Sequence, residues 1–241
     1  MKSLAERRRI CNRLGDARYP SATRRDRLFE EAIARRLGPS GVLVDAGSGP
    51  DLRTASRFAA QARLAVGIDV VPMRRSVAGA LAIAGDMTMF PFADSSVDLI
   101  SMRSVVEHLE EPRRVLSDFA RSLRPGGSVV ALAPSRWYYA SIIGRWMPGW
   151  LARRTLEFIY GPTAYDNFPT WYRANTPRAV ERAALAAGLV MEQARVCPHP
   201  PDYLKFSPML FRAGVLFDKI TLAVRPLNVL QPSYLFVLRK P

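Results

Sequence analysis

The run Val42-Leu43-Val44-Asp45-Ala46-Gly47-Ser48-Gly49-Pro50 constrains this chain more than any other stretch. A β-branched apolar run ends in an acid, and two glycines follow at alternate positions. That pattern reads as a buried parallel strand entering a tight turn where a ligand approaches bare backbone. A dinucleotide fingerprint would place a third glycine at position 52, which is Leu52 here. Pro50 and Asp51 stand where the next helix is expected to begin, proline in the first helical position and an acid complementing the helix dipole. An acid at that place repels a pyrophosphate, so the turn is expected to take a nucleoside without phosphates.

Four further segments follow in order. Leu64-Ala65-Val66-Gly67-Ile68-Asp69 reads as a second strand ending in an acid. Ala84-Gly85-Asp86-Met87 precedes Phe90-Pro91-Phe92-Ala93-Asp94, and Val97-Asp98-Leu99-Ile100-Ser101 leads into Val106-Glu107-His108-Leu109-Glu110-Glu111-Pro112. Arg121 to Val130, with Pro125-Gly126-Gly127 at its centre, reads as a turn into another strand. Together these segments resemble the class I S-adenosylmethionine-dependent methyltransferases of the type 11 kind. The resemblance covers about residues 40 to 135. It implies a Rossmann-like α/β sheet, mostly parallel with one antiparallel strand, with helices on both faces and helical, aromatic cap insertions.

It further implies S-adenosylmethionine as cofactor, held by Asp45, Ala46, Gly47, Ser48, Gly49, Asp69, Asp86, Met87 and Ser101. In that family Asp69 takes the ribose hydroxyls and Asp86 serves the adenine, while Asp45 orients the glycine turn or reaches the methionine amine. The bland alternative for each acid is a strand-end carboxylate capping a neighbouring loop. Ser48 and Pro50 depart from the family's usual residues, and Pro50 removes a backbone donor. On that departure rests the alternative function, a catalytically silent scaffold of the same fold. A nicotinamide-dependent oxidoreductase is disfavoured by Asp51 and Leu52.

Methyl transfer from a sulfonium needs alignment and exclusion of water more than a catalytic group. A hydroxyl acceptor would add a need for a base, and His108, in a Glu-His pair the family commonly carries, is the candidate. The bland reading has His108 tying down a loop. His199, between Pro198 and Pro200, reads as an exposed turn residue. Tyr138, Tyr139, Tyr165 and Tyr172 are candidates for the acceptor pocket. No cluster has metal-ligand spacing, so no metal is expected.

With 241 residues, the chain reads as a single domain. A basic helical arm spans 1–38, a cofactor-binding core 40–135, and cap or membrane-facing insertions 136–175 and 200–232. The net charge is +14, and the arm alone carries 11 Lys/Arg against 5 Asp/Glu. That charge fits a solvated face, an anionic membrane or substrate, or nucleic acid. The absence of an appended nucleic-acid module and the aromatic, acid-poor insertions favour a small-molecule or lipid-like acceptor over nucleic acid. Trp, Tyr, Phe and Leu interleaved with Lys and Arg suit an interfacial helix, a lid over an apolar pocket, or ordinary core. Two cysteines outside any motif and an apolar-poor start point to the cytoplasm, with peripheral membrane contact open. Oligomeric state is not legible.

Along the chain, a helix is expected to end at Gly38-Pro39 and another to span about 111 to 123 on Val115, Leu116, Phe119 and Leu123. Thr176 and Pro177 should start a helix that stops at Gly188, and closing strands are expected at about 189–196 and 233–239.

Overall fold

The computed structural model describes residues 3–71, 79–160 and 168–241. Seven strands form one sheet in the order β3-β2-β1-β4-β5-β7-β6: β1 (Val42–Ala46), β2 (Leu64–Asp69), β3 (Leu81–Ala84), β4 (Val97–Arg103), β5 (Leu123–Pro134), β6 (Val190–Val196) and β7 (Ser233–Arg239). Strands β1 to β5 pair in parallel. β7 runs against them: Gly126 at the start of β5 exchanges hydrogen bonds near Lys240 past its end, and Cys197 after β6 donates to Ser233 at its beginning. The apolar runs explain the order. Every residue of β1 is buried, as a central parallel strand covered on both faces requires, whereas the edge strands β3 and β6 are largely exposed.

Helices α1 (Leu4–Arg18), α2 (Arg25–Ala34), α3 (Arg53–Phe58), α4 (Pro112–Ser122), α5 (Tyr139–Trp146), α6 (Gly149–Tyr160), α7 (Pro177–Ala186) and α8 (Pro208–Ala223) complete the chain. α4 opens on Pro112 after Glu111 and buries Val115, Leu116 and Phe119. α7 is capped by the Thr176 side chain, which accepts from Ala179 N–H, and Gly188 beyond its end takes φ +78°.

Two compact units result. The sheet unit holds Leu28–Ala133, Thr170–Arg195 and Tyr234–Pro241; the basic unit holds Met1–Arg27, Pro134–Pro169 and Val196–Ser233. The basic arm is therefore divided within α2. Residues 170–175, read from sequence with the first insertion, belong to the sheet unit, because Trp171 and Tyr172 N–H both bond the Glu107 carbonyl at 2.7 and 3.1 Å.

One expectation fails beside the glycine turn. The helix starts at Arg53, not at Pro50, which with Asp51 lies in a turn. Leu52 takes φ 50°, ψ 36° and is fully buried against Ala55, Ala65 and Ala80. Burying this side chain drives a left-handed backbone that a helix cannot include, which delays the helix start and removes the dipole contact assigned to Asp51.

Candidate active site

The site residues of the sheet unit collect at the carboxyl ends of β1 to β4, around the point where strand order reverses between β1 and β4. Asp45 stands opposite Ser101 on β4 and Gly67 on β2. Ser101, itself fully buried, donates its hydroxyl to Asp45 Oδ1 at 2.6 Å. The Thr54 hydroxyl and the Ala55 N–H, at the start of α3, bond the same carboxylate. Burial nevertheless pushes the Asp45 carboxyl up to about 6. Asp45 thus ties two strands to the helix that follows the turn.

The turn itself is held by backbone. Gly47 and Ser48 N–H donate to the Ile68 carbonyl at 2.8 and 3.2 Å. Gly47 has φ +76°, and a Cβ there would lie 2.3 Å from Val105 Cγ2, so neither conformation nor space admits a side chain. Gly67 is equally constrained, since its Cβ would meet Leu52 Cδ2 at 2.3 Å and Ser48 Oγ at 2.8 Å. Gly49 differs: it has φ +66°, and a Cβ would enter open space.

Asp69 closes the turn. Its Oδ2 accepts from Gly49 N–H at 2.7 Å and its Oδ1 from Val71 N–H at 3.0 Å. A carboxylate has about four acceptor sites, so this one retains capacity for two hydroxyls. An acid with spare acceptors, beside a glycine facing open space, fits the ribose of S-adenosylmethionine.

On the next loop, Asp86 is exposed and its Oδ1 accepts from Thr88 N–H at 2.8 Å, capping a short 3₁₀ turn that carries the half-buried Met87. The Phe90–Asp94 stretch is pinned by α4. Arg121 donates to the Phe90 and Phe92 carbonyls and pairs with Asp94 at 2.6 Å, while Phe90 packs on Phe119. After β4, Ser104 takes φ 55° and the chain forms a 3₁₀ turn over Val106–His108. His108 is half-buried there. The Glu107 carbonyl of this turn holds Trp171 and Tyr172, whose own φ is 50°, and the Arg173 guanidinium lies 5.2 Å over the Trp171 ring. Tyr172 and the His108 turn are thereby joined.

Tyr138 and Tyr139 belong to the basic unit, with ring centroids 4.2 Å apart. Burial pushes both phenols up, Tyr139 to about 12. Both sense Asp218 of α8, whose Oδ2 accepts from Tyr19 OH at 2.5 Å. Asp218 is itself buried, which raises its carboxyl to about 6, and its Oδ1 meets no donor among the described residues. His199 departs from the exposed turn expected of it. It is buried, edge-on to Tyr138 at 6.2 Å, with Nδ1 2.8 Å from the Pro200 carbonyl, and burial lowers it to about 3. The ring is apolar enough to fill space once one nitrogen is satisfied, which the flanking prolines do not reveal. Tyr165 lies outside the described residues.

Thr54, Gly67 and Val105 were not singled out from sequence. Gly67 alone carried a signal, a glycine within a buried strand. Among the described residues no group of His, Cys, Asp and Glu could hold a metal, and no helix is long and apolar enough to cross a membrane.

Residues 44–131 match the family model of the Methyltransferase domain. A ubiquinone biosynthesis O-methyltransferase of Parvibaculum lavamentivorans is 37% identical over 184 residues, 75% of this chain and 61% of that protein. A demethylmenaquinone methyltransferase of Mycobacterium sp. (strain JLS) is 27% identical over 194 residues, 70% of this chain and 81% of that protein. In fold, the chain is similar to an S-adenosylmethionine-dependent methyltransferase from Mesorhizobium loti, with TM-score 0.60 and 17% identity over 90% of this chain and 98% of that one. The glycine turn clasped by a strand-end acid lies inside that matched methyltransferase segment, and the chain carries the fold of the S-adenosylmethionine-dependent methyltransferases.

Proposed function

We propose that this chain transfers a methyl group to a small-molecule or lipid-like acceptor by in-line displacement. One observation carries the reading: Asp69 clasps Gly49 N–H beside open space while keeping acceptor capacity. When bound, S-adenosylmethionine supplies an electrophilic methyl on a sulfonium. Asp69 then receives the ribose hydroxyls, Asp86 and Met87 contact the adenine, and Ala46, Gly47, Ser48 and Gly49 border the methionine portion. Asp45 and Ser101 act from beneath as positioning residues, since their polar atoms are engaged with one another.

His108 stands where β4 ends and takes the acceptor proton if the acceptor is a hydroxyl. Tyr172, joined to the His108 turn through the Glu107 carbonyl, contacts the acceptor. The names of the two relatives favour a quinone precursor, an aromatic ring with an apolar tail. Cys11 and Cys197 are buried and form no disulfide among the described residues, which suits a reducing, cytoplasmic setting.

The test is transfer of labelled methyl to phenolic quinone precursors. His108→Gln is expected to lower turnover by roughly 10²–10⁴-fold while cofactor affinity holds. Equal turnover in the variant removes the base role; labelled product from none of the precursors removes the acceptor class.

A further inference from the structure

The basic unit carries more apolar surface than its own core uses. α8 buries one stripe, Phe211, Gly214, Asp218 and Thr221, and exposes Met209, Leu216 and Ile220 on the opposite side. α5 and α6 go further. Trp146 is 83% and Trp150 64% exposed, with Ile142, Ile143, Leu151 and Phe158 also open to solvent. In α6, Trp150, Arg154 and Phe158 recur every fourth residue and so share one face. Arg8 donates to the Phe158 and Ile159 carbonyls at the end of α6, which fixes that helix from α1.

Charge identifies the partner. The basic unit holds 17 Lys/Arg against 7 Asp/Glu, so +10 of the chain's +14 resides in 101 of its residues. Burying this face against a second copy would bring two such units together and repel. Exposed tryptophans among arginines suit the headgroup level of a bilayer, the aromatic ring seated in the interface and the guanidinium on lipid phosphate. No helix among the described residues spans a membrane, so contact is confined to the surface.

We propose that α5 and α6 dock this protein on an anionic bilayer, with Trp146 and Trp150 at the headgroup level and Arg145 and Arg154 on lipid phosphates. The docking holds whichever acceptor is methylated.

The full chain is sedimented with phosphatidylcholine vesicles containing roughly 30% phosphatidylglycerol, and tryptophan quenching by brominated lipid is read in parallel. Wild type is expected to bind, to bind pure phosphatidylcholine far less, and to release as salt rises. The pair Trp146→Ser and Trp150→Ser is expected to lower partitioning about tenfold or more. The pair Arg145→Gln and Arg154→Gln is expected to lower it about 25-fold. Both variants should bind S-adenosylmethionine as wild type does, which shows them folded and separates docking from the cofactor reading. The proposal is overturned by wild type that ignores anionic vesicles, or by variants that bind equally. It is also overturned by a dimer that the tryptophan variant dissolves without vesicle binding.

Discussion

The sheet unit and the basic unit spend their polar and apolar groups in opposite ways. In the sheet unit the acids of β1, β2 and β4 are matched: Asp45 to Ser101, Thr54 and Ala55, Asp69 to Gly49 and Val71, Asp98 to Arg124 and Val42. In the basic unit a buried Asp218 keeps one oxygen without a donor among the described residues. Of the 22 exposed large hydrophobic residues described, 16 lie in the basic unit, although it is the smaller. The first unit satisfies the acids of its strands and leaves a turn open beside Gly49. The second has surface and polar capacity that its own packing does not consume, which is what a protein part that meets other molecules shows.

Substitutions that reach the sheet unit should cost most. Gly47→Ala is expected to lose roughly 2–4 kcal/mol by urea unfolding, from a left-handed backbone and overpacking against Val105, and to abolish S-adenosylmethionine binding. Adding Val105→Ala should recover part of the stability, because the clash goes and the backbone cost stays. Full recovery would show that φ +76° matters little.

Ser101→Ala takes a buried donor from Asp45 and is expected to cost roughly 1–3 kcal/mol. With the bond gone the carboxyl should rise further, so the variant loses stability more steeply as pH increases. A pH-independent difference would place the loss in packing instead.

Asp218 sharpens the contrast from the other side. Its folded value of about 6 lies above the ordinary 3.8, so the folded state prefers it protonated. Its contribution is most favourable below about pH 4, is lost as pH rises through 6, and is flat beyond. Asp218→Asn should therefore raise stability at pH 7 by roughly 1–2 kcal/mol and remove part of the decline of Tm between these pH values. Asp45, raised in the same direction, adds to that decline, while His199, lowered by burial to about 3, opposes it. An Asn variant less stable at pH 7 would mean that Tyr19 needs the charge.

The smallest effect belongs to Trp146→Ser combined with Trp150→Ser. Stability should stay within about 0.5 kcal/mol of wild type, since both rings face solvent. A larger loss would make α5 and α6 part of a core.

How much of this was readable follows from the range of the interactions. The acid-glycine turn, the Pro112 start of α4 and the Thr176 cap are local devices, and the chain states them within a few residues. Leu52 misled because local preference favours a helix start at Pro50, whereas a pocket lined by Ala55, Ala65 and Ala80 decides the backbone. His199 and Asp218 were opaque for the same reason. The prolines around His199 describe a turn, whereas its burial comes from distant residues such as Tyr138, 61 positions earlier. Asp218 looks like a surface acid until Tyr19, 199 positions away, covers it.

The proposed function requires the turn clasped by Asp69 to hold the cofactor. Calorimetric titration with S-adenosylmethionine of wild type, Asp69→Asn and Asp69→Ala tests it most directly. Wild type should bind at micromolar concentration. Asp69→Asn, which can still accept from Gly49 N–H, should weaken binding roughly tenfold, and Asp69→Ala about 100-fold or more. Folded wild type that binds nothing would leave the scaffold reading in place, and an alanine variant that binds unchanged would remove the role given to Asp69.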